Sequence, residues 1–329
     1  MGKAAKRERL FRSFNSHAQS IHETFHLLDQ PAAASLEKTD WSEVMKLGDE
    51  ISKQATISGM LSTGGTSEVK EMEDHIGAFC NMLQGFLLLC QGSTVGAGPT
   101  LHASIRALAK QVIDQSLSLL RETVSSYASK KRTSIPRLSG SVWEACAALK
   151  RAPTTNSIAI GRALTQVAVS VKDVLRELKG LRPAATDPVG DDDELSPEEM
   201  EVARLAIGVV SDALVAAKEA VRFVAAAGEG RRVELLEGLL RSIQAAGAQV
   251  DELGACVFPP QEIPQMAAAA AELLRLAAEA QEEVRAAASD DDGLVGSLEA
   301  FRGSLRTFQS TLSSPDDTSV EREMRGLSL

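Results

Sequence analysis

Apolar residues recur along most of the chain with the spacing of an α-helix. Near the N-terminus they step by three or four positions along one stripe: Leu10, Phe14, Ala18, Ile21, Phe25 and Leu28. A second stripe of this spacing runs from Val69 to Cys90, and a looser one runs from Ile105 to Tyr127. Residues three and four apart share one face of a helix, so each stripe predicts an amphipathic helix with a buried face.

The segment Val167–Val171 alternates apolar and polar residues as a strand does, but it lies inside a longer helical series. That series continues over five turns through Ile160, Leu164, Val167, Val171, Val174 and Leu178, and it predicts a helix. The residues from Val202 to Val224 follow the same spacing. We therefore expect about six helices before Pro183, about four after Ser196, and no sheet.

The segment from Pro183 to Glu194 has no apolar stripe and contains three consecutive aspartates, so it predicts a solvated acidic linker. Ser196 and Pro197 after it are typical of a helix start. The expected fold is all-α, with two antiparallel helical bundles joined by the acidic linker. The predicted boundaries are an N-terminal bundle at 1–183, a linker at 184–195, an acidic C-terminal bundle at 196–312 and a flexible tail at 313–329.

Charge is divided unevenly along the 329 residues. Up to Pro183 there are 23 Lys and Arg against 17 Asp and Glu, a net of +6, and from Ala184 there are 12 against 28, a net of −16. Direct binding of nucleic acid is not expected, since phosphate binding needs a basic surface. Aromatic residues make up only 4% of the chain, so any core is expected to consist mainly of Leu, Val, Ile and Ala.

Cellular location is predicted from what the chain lacks. The basic residues near the N-terminus precede no apolar signal segment, and the uncharged stretch from Ile76 to Leu101 is too polar to span a bilayer. The four cysteines, at 80, 90, 146 and 256, form no cluster and predict buried free thiols in a reducing compartment. We expect an intracellular soluble protein without cofactor or metal.

His22-Glu23-Thr24-Phe25-His26 matches the zinc-peptidase pattern H-E-x-x-H, which places two imidazoles on one helix face with a glutamate as general base. A peptidase also needs a third ligand and an edge strand, and Asp29 and Ala32 stand where one peptidase class has Gly and His. The favoured interpretation is that both histidines lie half-buried against a neighbouring helix. We expect no catalytic residues.

The loop from Gly92 to Pro99 is rich in glycine and leads into a helix, a position where backbone amides can hold an anion. It lacks the Lys-Ser/Thr pair of a P-loop and follows a helix, so a tight helix–helix turn is the favoured interpretation. Whether it also binds an anion stays open.

Several segments of the first half resemble the cyclin-D-binding protein family in its plant-like form. They are Ser35-Leu36-Glu37-Lys38 with Trp41, and the stretches 85–101, 134–149 and 158–173. The resemblance implies an all-helical, two-lobed protein without enzymatic activity that is found in nucleus and cytoplasm. It also implies binding of D-type cyclins and helix-loop-helix transcription regulators, with restraint of the cell cycle.

Two other functions remain open at this stage. Bundle architecture fits a vinculin- or talin-like adaptor for cytoskeletal or membrane partners equally well, and a zinc peptidase through His22 and His26 is the less favoured alternative. At the C-terminus, Arg325, Leu327 and Leu329 match the cyclin-docking pattern R-x-L-x-Φ, in which Arg pairs with a carboxylate and the leucines fill an apolar groove.

Overall fold

The structure is a computed structural model that describes residues 3–63, 68–127, 134–182, 195–227, 232–286 and 292–313. Over these residues the chain forms ten α-helices and no strand. The helices are α1 (Lys3–Phe25), α2 (Trp41–Thr63), α3 (Val69–Ser93), α4 (Pro99–Ser125), α5 (Ile135–Ala148), α6 (Asn156–Leu178), α7 (Pro197–Ala226), α8 (Val233–Val257), α9 (Ile263–Ala286) and α10 (Asp292–Ser313). The all-α prediction is confirmed.

The chain divides into two compact units between Ala159 and Ile160, upstream of the predicted linker. Helix α6, which the sequence placed in the first bundle, therefore lies almost entirely in the second unit. Its apolar face explains this placement, since Val171, Leu175 and Leu178 are buried with residues of the helices that follow. Residues 183–194 and 314–329 lie outside the described residues, so the acidic linker and the tail stay predictions.

The first unit contains α1 to α5, and its core is formed where the predicted stripes meet. The α1 stripe supplies Leu10, Phe14 and Ile21, which pack with Phe79 and Phe86 of α3. Helices α4 and α5 close the core with the residues at their helical spacing, among them Ile105, Val112, Leu119, Ile135 and Val142. These buried faces confirm the helical interpretation of the stripes.

The second unit contains most of α6 together with α7 to α10. Helix α8 packs along α9, and α10 packs along both α7 and α9. Helix α6 comes close to α8 at two glycines: a Cβ added to Gly247 would lie 2.7 Å from Val167 Cγ1, and one added to Gly254 would lie 2.6 Å from Val174 Cγ1. Because both pairs advance in the same direction, α6 and α8 run parallel.

Side chains accept hydrogen bonds from free backbone amides at the starts of two helices. Ser196 Oγ accepts a hydrogen bond from the Glu199 amide (3.2 Å), and Glu199 Oε2 accepts one from the Ser196 amide (2.8 Å), which completes a capping box for α7. At α2, Asp40 Oδ1 accepts from the Ser42 amide at 2.7 Å. None of the described helices is long and apolar enough to cross a membrane.

Candidate partner-binding face

Helix α5 carries a large aromatic side chain outside its buried stripe. Ile135, Ser139, Val142 and Cys146 are buried at helical spacing, whereas Trp143 lies beside them with 46% of its surface exposed. Tryptophan is highly buried on average, so an indole this accessible at mid-helix marks a surface to examine for binding.

The Trp143 ring is held in place by helix α2. Its Nε1 donates to Ser52 O and to Thr56 Oγ1, both at 3.2 Å, and Thr56 Oγ1 donates in turn to Ser52 O at 3.0 Å. Because the indole's one polar atom is already bonded inside the protein, the part of the ring that faces solvent is entirely apolar.

Another exposed apolar side chain follows on the side of α2 that holds this indole. Met60, one turn beyond Thr56, is 64% exposed. On α5 the neighbours of Trp143 along the helix are small: a Cβ added to Gly140 would meet nothing within 4 Å, and Ala147 is exposed. We call Met60, Gly140, Trp143 and Ala147 the Trp143 face.

The two helices that carry the Trp143 face are firmly joined. Trp41 Nε1 at the start of α2 donates to Leu149 O at 3.0 Å, and Ser139 Oγ donates to Ala55 O at 3.3 Å. Gly48 also packs so closely on Leu149 that an added Cβ would lie 2.5 Å from its Cδ1. The face therefore sits on a rigid base, which lowers the entropy lost when a partner orders it.

Comparison with known proteins assigns the chain to a family. Residues 43–184 match the family described as Grap2 and cyclin-D-interacting, N-terminal, and residues 184–282 match its C-terminal counterpart. The chain belongs to the Grap2 and cyclin-D-interacting family. The resemblance noted in the sequence is confirmed, and both helices of the Trp143 face fall almost wholly within the N-terminal match.

One curated relative is named cyclin-D1-binding protein 1 homolog, from Xenopus laevis. It is 25% identical over 179 residues, which make up 50% of this chain and 54% of the relative. The chain thus spans about half the length of the curated relative that it matches.

The H-E-x-x-H residues of this family member do not lie as predicted. Both His22 and His26 are exposed rather than half-buried: His22 lies on the solvent side of α1, and His26 begins a 3-10 turn after α1 ends at Phe25. Their rings meet edge to face with centroids 5.3 Å apart. Within the described residues no group of three or more His, Cys, Asp or Glu is arranged to hold a metal ion, so the zinc hypothesis gains no third ligand.

His26 instead takes part in a polar cluster at the end of α1. Its Nδ1 lies 2.9 Å from Asp29 Oδ2, and Arg106 Nη2 donates to Asp29 Oδ1 at 2.7 Å. The hydrogen bonds from His26 and then Arg106 lower the pKa of Asp29. Arg106 also lies over the Phe25 ring, 5.2 Å from its centroid, so the cluster fastens this turn to α4.

The glycine-rich loop uses its backbone amides within the protein. Bonded amides are those of Thr94, Val95, Ala97 and Gly98. Asn156 holds the loop from both sides, accepting from the Gly98 amide (2.7 Å) and donating to Gly96 O (3.0 Å). Gly96 has φ 73°, which favours glycine. The loop is a tight turn as predicted, and these amides are not directed at an anion.

The cysteines are free thiols, and three of the four are buried. Burial raises the pKa of Cys80 to about 12 and raises those of Cys90 and Cys146 as well. Such thiols are protonated at neutral pH and are poor nucleophiles. Arg325, Leu327 and Leu329, the predicted cyclin-docking residues, lie outside the described residues and stay a prediction.

Trp143 was not singled out from the sequence, although the segment 134–149 that contains it contributes to the family resemblance. The available signal was its position: a large aromatic residue one place beyond Val142 falls outside the buried stripe of α5. Met60 was harder to find, because apolar residues on the solvent side of a helix are common.

Proposed function

We propose that this protein is a non-enzymatic regulator that binds a D-type cyclin through the Trp143 face and thereby restrains cell-cycle progression. Membership of the cyclin-D-interacting family and the name of the Xenopus relative support the choice of partner. The observation that carries the choice of surface is the half-exposed Trp143, whose Nε1 is already bonded to α2.

Such a residue has the properties of a binding hot spot. Tryptophan and methionine are enriched in interface cores, and most of the binding energy comes from a few such side chains. Trp143 loses little rotamer freedom on binding because its hydrogen bonds fix the ring beforehand. Gly140 and Ala147, one turn before and one turn after Trp143, have little or no side chain. The backbone of a partner helix can therefore come close to the surface of α5 there.

The test is capture of a D-type cyclin by full-length variants of this chain. Met60→Lys places a charge on the Trp143 face, and we expect it to weaken cyclin binding at least about tenfold. Leu88→Lys is the matched control, since Leu88 is 56% exposed at mid-helix on α3, outside the face. It should leave the affinity unchanged. Circular dichroism checks that both variants fold.

Trp143→Ala gives a second, larger effect, about thirtyfold if the indole is a hot spot. Equal affinity of all three variants and the unaltered chain would remove the Trp143 face from the proposal. Failure of the unaltered chain to bind any D-type cyclin, together with co-sedimentation on filaments, would favour the helical-bundle adaptor instead.

We extend the proposal to helix-loop-helix transcription regulators and to action in both cytoplasm and nucleus. The support is the charge of the chain from Ala184 onward, 12 cationic against 28 anionic residues. A helix-loop-helix dimer grips DNA with one basic helix from each partner, so a mixed dimer with an acidic chain loses phosphate contacts. In a gel shift, added full-length protein should release the factor from its site and shift no DNA itself.

A further inference from the structure

Helices α6 and α7 carry the same twelve-residue pattern. Thr-Gln-Val-Ala-Val-Ser-Val-Lys-Asp-Val-Leu-Arg occupies 165–176, and Ser-Asp-Ala-Leu-Val-Ala-Ala-Lys-Glu-Ala-Val-Arg occupies 211–222. Aligned without a gap, the two share a hydroxyl residue, a valine, a lysine, a carboxylate and an arginine at matching positions. Both segments lie in the second compact unit.

The shared valine and lysine also match in their exposure. Val169 and Val215 are each 46% exposed, and Lys172 and Lys218 are exposed one turn further along. The buried faces of the two segments are formed by other residues, among them Val171 and Leu175 on α6 and Ala217 and Ala220 on α7. The shared valine and lysine therefore face solvent on both helices.

The arginines are oriented in the same way on both helices. Arg176 pairs with Asp173 three residues before it at 3.2 Å, and Arg222 pairs with Glu219 at the same spacing. The two arginine side chains keep 76% and 74% of their surface exposed. In the described part of the chain neither Lys172 nor Lys218 has a carboxylate within 4.0 Å. Each helix thus presents a valine followed by one unpaired and one pre-oriented cation.

We propose that these two stripes, Val169–Lys172–Arg176 and Val215–Lys218–Arg222, are equivalent docking sites for an acidic amphipathic helix of a partner protein. On either helix the lysine lies about 4.5 Å and the arginine about 10.5 Å beyond the valine along the axis. A partner helix with an apolar residue and carboxylates three and seven positions away matches both the apolar and the charged contacts.

Charge complementarity favours a protein helix over a nucleic acid. Each stripe contains two cations and one carboxylate, a weak site for a polyphosphate but a suitable one for two separate carboxylates. The chain from Ala184 onward is strongly anionic, which repels a nucleic-acid duplex, so the favourable charge contacts for an acidic helix are the local ones with the two cations of each stripe. This inference does not depend on cyclin binding or on the Trp143 face.

The test is a titration of the full-length protein with a synthetic helical peptide of about 16 residues that carries Leu with Glu three and seven positions later. We expect two peptides per chain. Lys172→Glu with Arg176→Glu should remove one site, Lys218→Glu with Arg222→Glu should remove the other, and all four changes should remove both. At each altered site the affinity should fall at least about tenfold, and added salt should weaken binding at both sites.

The matched control is Arg204→Glu with Arg285→Glu, two arginines of the same unit that also pair with a carboxylate at three residues' distance but belong to neither stripe. If the charge reversals fail to fold by circular dichroism, the corresponding Gln variants replace them. The proposal is overturned by a stoichiometry other than two, by equal loss in the control, or by equal binding of a peptide with Gln for Glu. Displacement of the peptide by an oligonucleotide, or binding only after the acidic residues of 187–194 are neutralised, also overturns it.

Discussion

The cores of the two compact units are filled by different kinds of side chain. In the first unit the described core includes four buried phenylalanines and four buried alanines, whereas the core of the second includes ten buried alanines and three phenylalanines. Large side chains fill space between helices that stand apart, and small ones let helix axes approach closely. The first unit should therefore tolerate loss of volume poorly, and the second should tolerate added volume poorly.

The two units also offer different examples of how elements are held together. In the first unit Trp41, Trp143 and Asn156 bond to backbone atoms of other segments, which fixes how helices and loops meet. In the second unit the contact of α6 with α8 relies on Gly247 and Gly254, whose missing side chains leave room for Val167 and Val174. Directed polar bonds thus position these segments of the first unit, and close steric fit positions α6 against α8 in the second.

Removal of a buried ring from the first unit should have the largest effect. Phe79 is fully buried between α1 and α3 residues, and we expect Phe79→Ala to lower the free energy of unfolding of this unit by about 3–5 kcal/mol. Both tryptophans lie in the first unit, so their fluorescence during urea unfolding reports this unit alone, while circular dichroism reports both. The fluorescence midpoint should fall, and a later dichroism transition should stay in place.

Added volume should have the corresponding effect on the second unit. Gly254→Ala places a methyl group within 2.6 Å of Val174 Cγ1 on a stiff β-branched side chain, and we expect a loss of about 1–3 kcal/mol despite the better helix propensity of alanine. Only the dichroism transition of the second unit should move. Val174→Ala in the same chain should restore part of the loss.

Gly208→Ala on α7 is the matched control, since its Cβ would meet nothing within 4 Å. Without a steric cost, helix propensity alone should raise stability by about 0.5–1 kcal/mol. If Gly254→Ala also stabilises, close approach of α6 to α8 does not define the second unit, and the contrast between the units is wrong.

The sequence predicted most of the fold, because helix periodicity is a local property. It assigned the Val167–Val171 segment to a helix despite its alternation, and α6 confirms this. It grouped α6 with the helices before it, whereas the apolar face of α6 is buried with the helices that follow, because the partner of an apolar face depends on residues far along the chain, here Gly247 and Gly254. The Trp143 face was missed for the same reason: the bonds from Trp143 to Ser52 and Thr56 join segments about ninety residues apart.

The smallest expected effect is a pH dependence confined to the first unit. His75 Nε2 lies 2.6 Å from Ser58 Oγ, its ring contacts Phe79, and burial lowers its pKa below the ordinary value of 6.5. The unfolded chain therefore binds a proton at a pH where the folded unit does not. Neutral His75 therefore makes its full contribution to the free energy of unfolding above pH 6.5. This contribution is lost as the pH falls from 6.5 toward the lowered pKa of the folded unit, by at most about 1.4 kcal/mol per pH unit.

The second unit serves as a reference that separates the effect of His75 from the general loss of stability in acid. All five histidines precede Ile160, so the second unit has no imidazole to protonate. Between pH 7.0 and 5.5 the tryptophan-fluorescence midpoint should fall further than the dichroism midpoint of the second unit. His75→Gln retains a polar side chain for Ser58 but cannot titrate, so it should reduce that difference. If the difference persists unchanged in His75→Gln, protonation of this buried imidazole is not its cause, and carboxylates of the first unit must account for it.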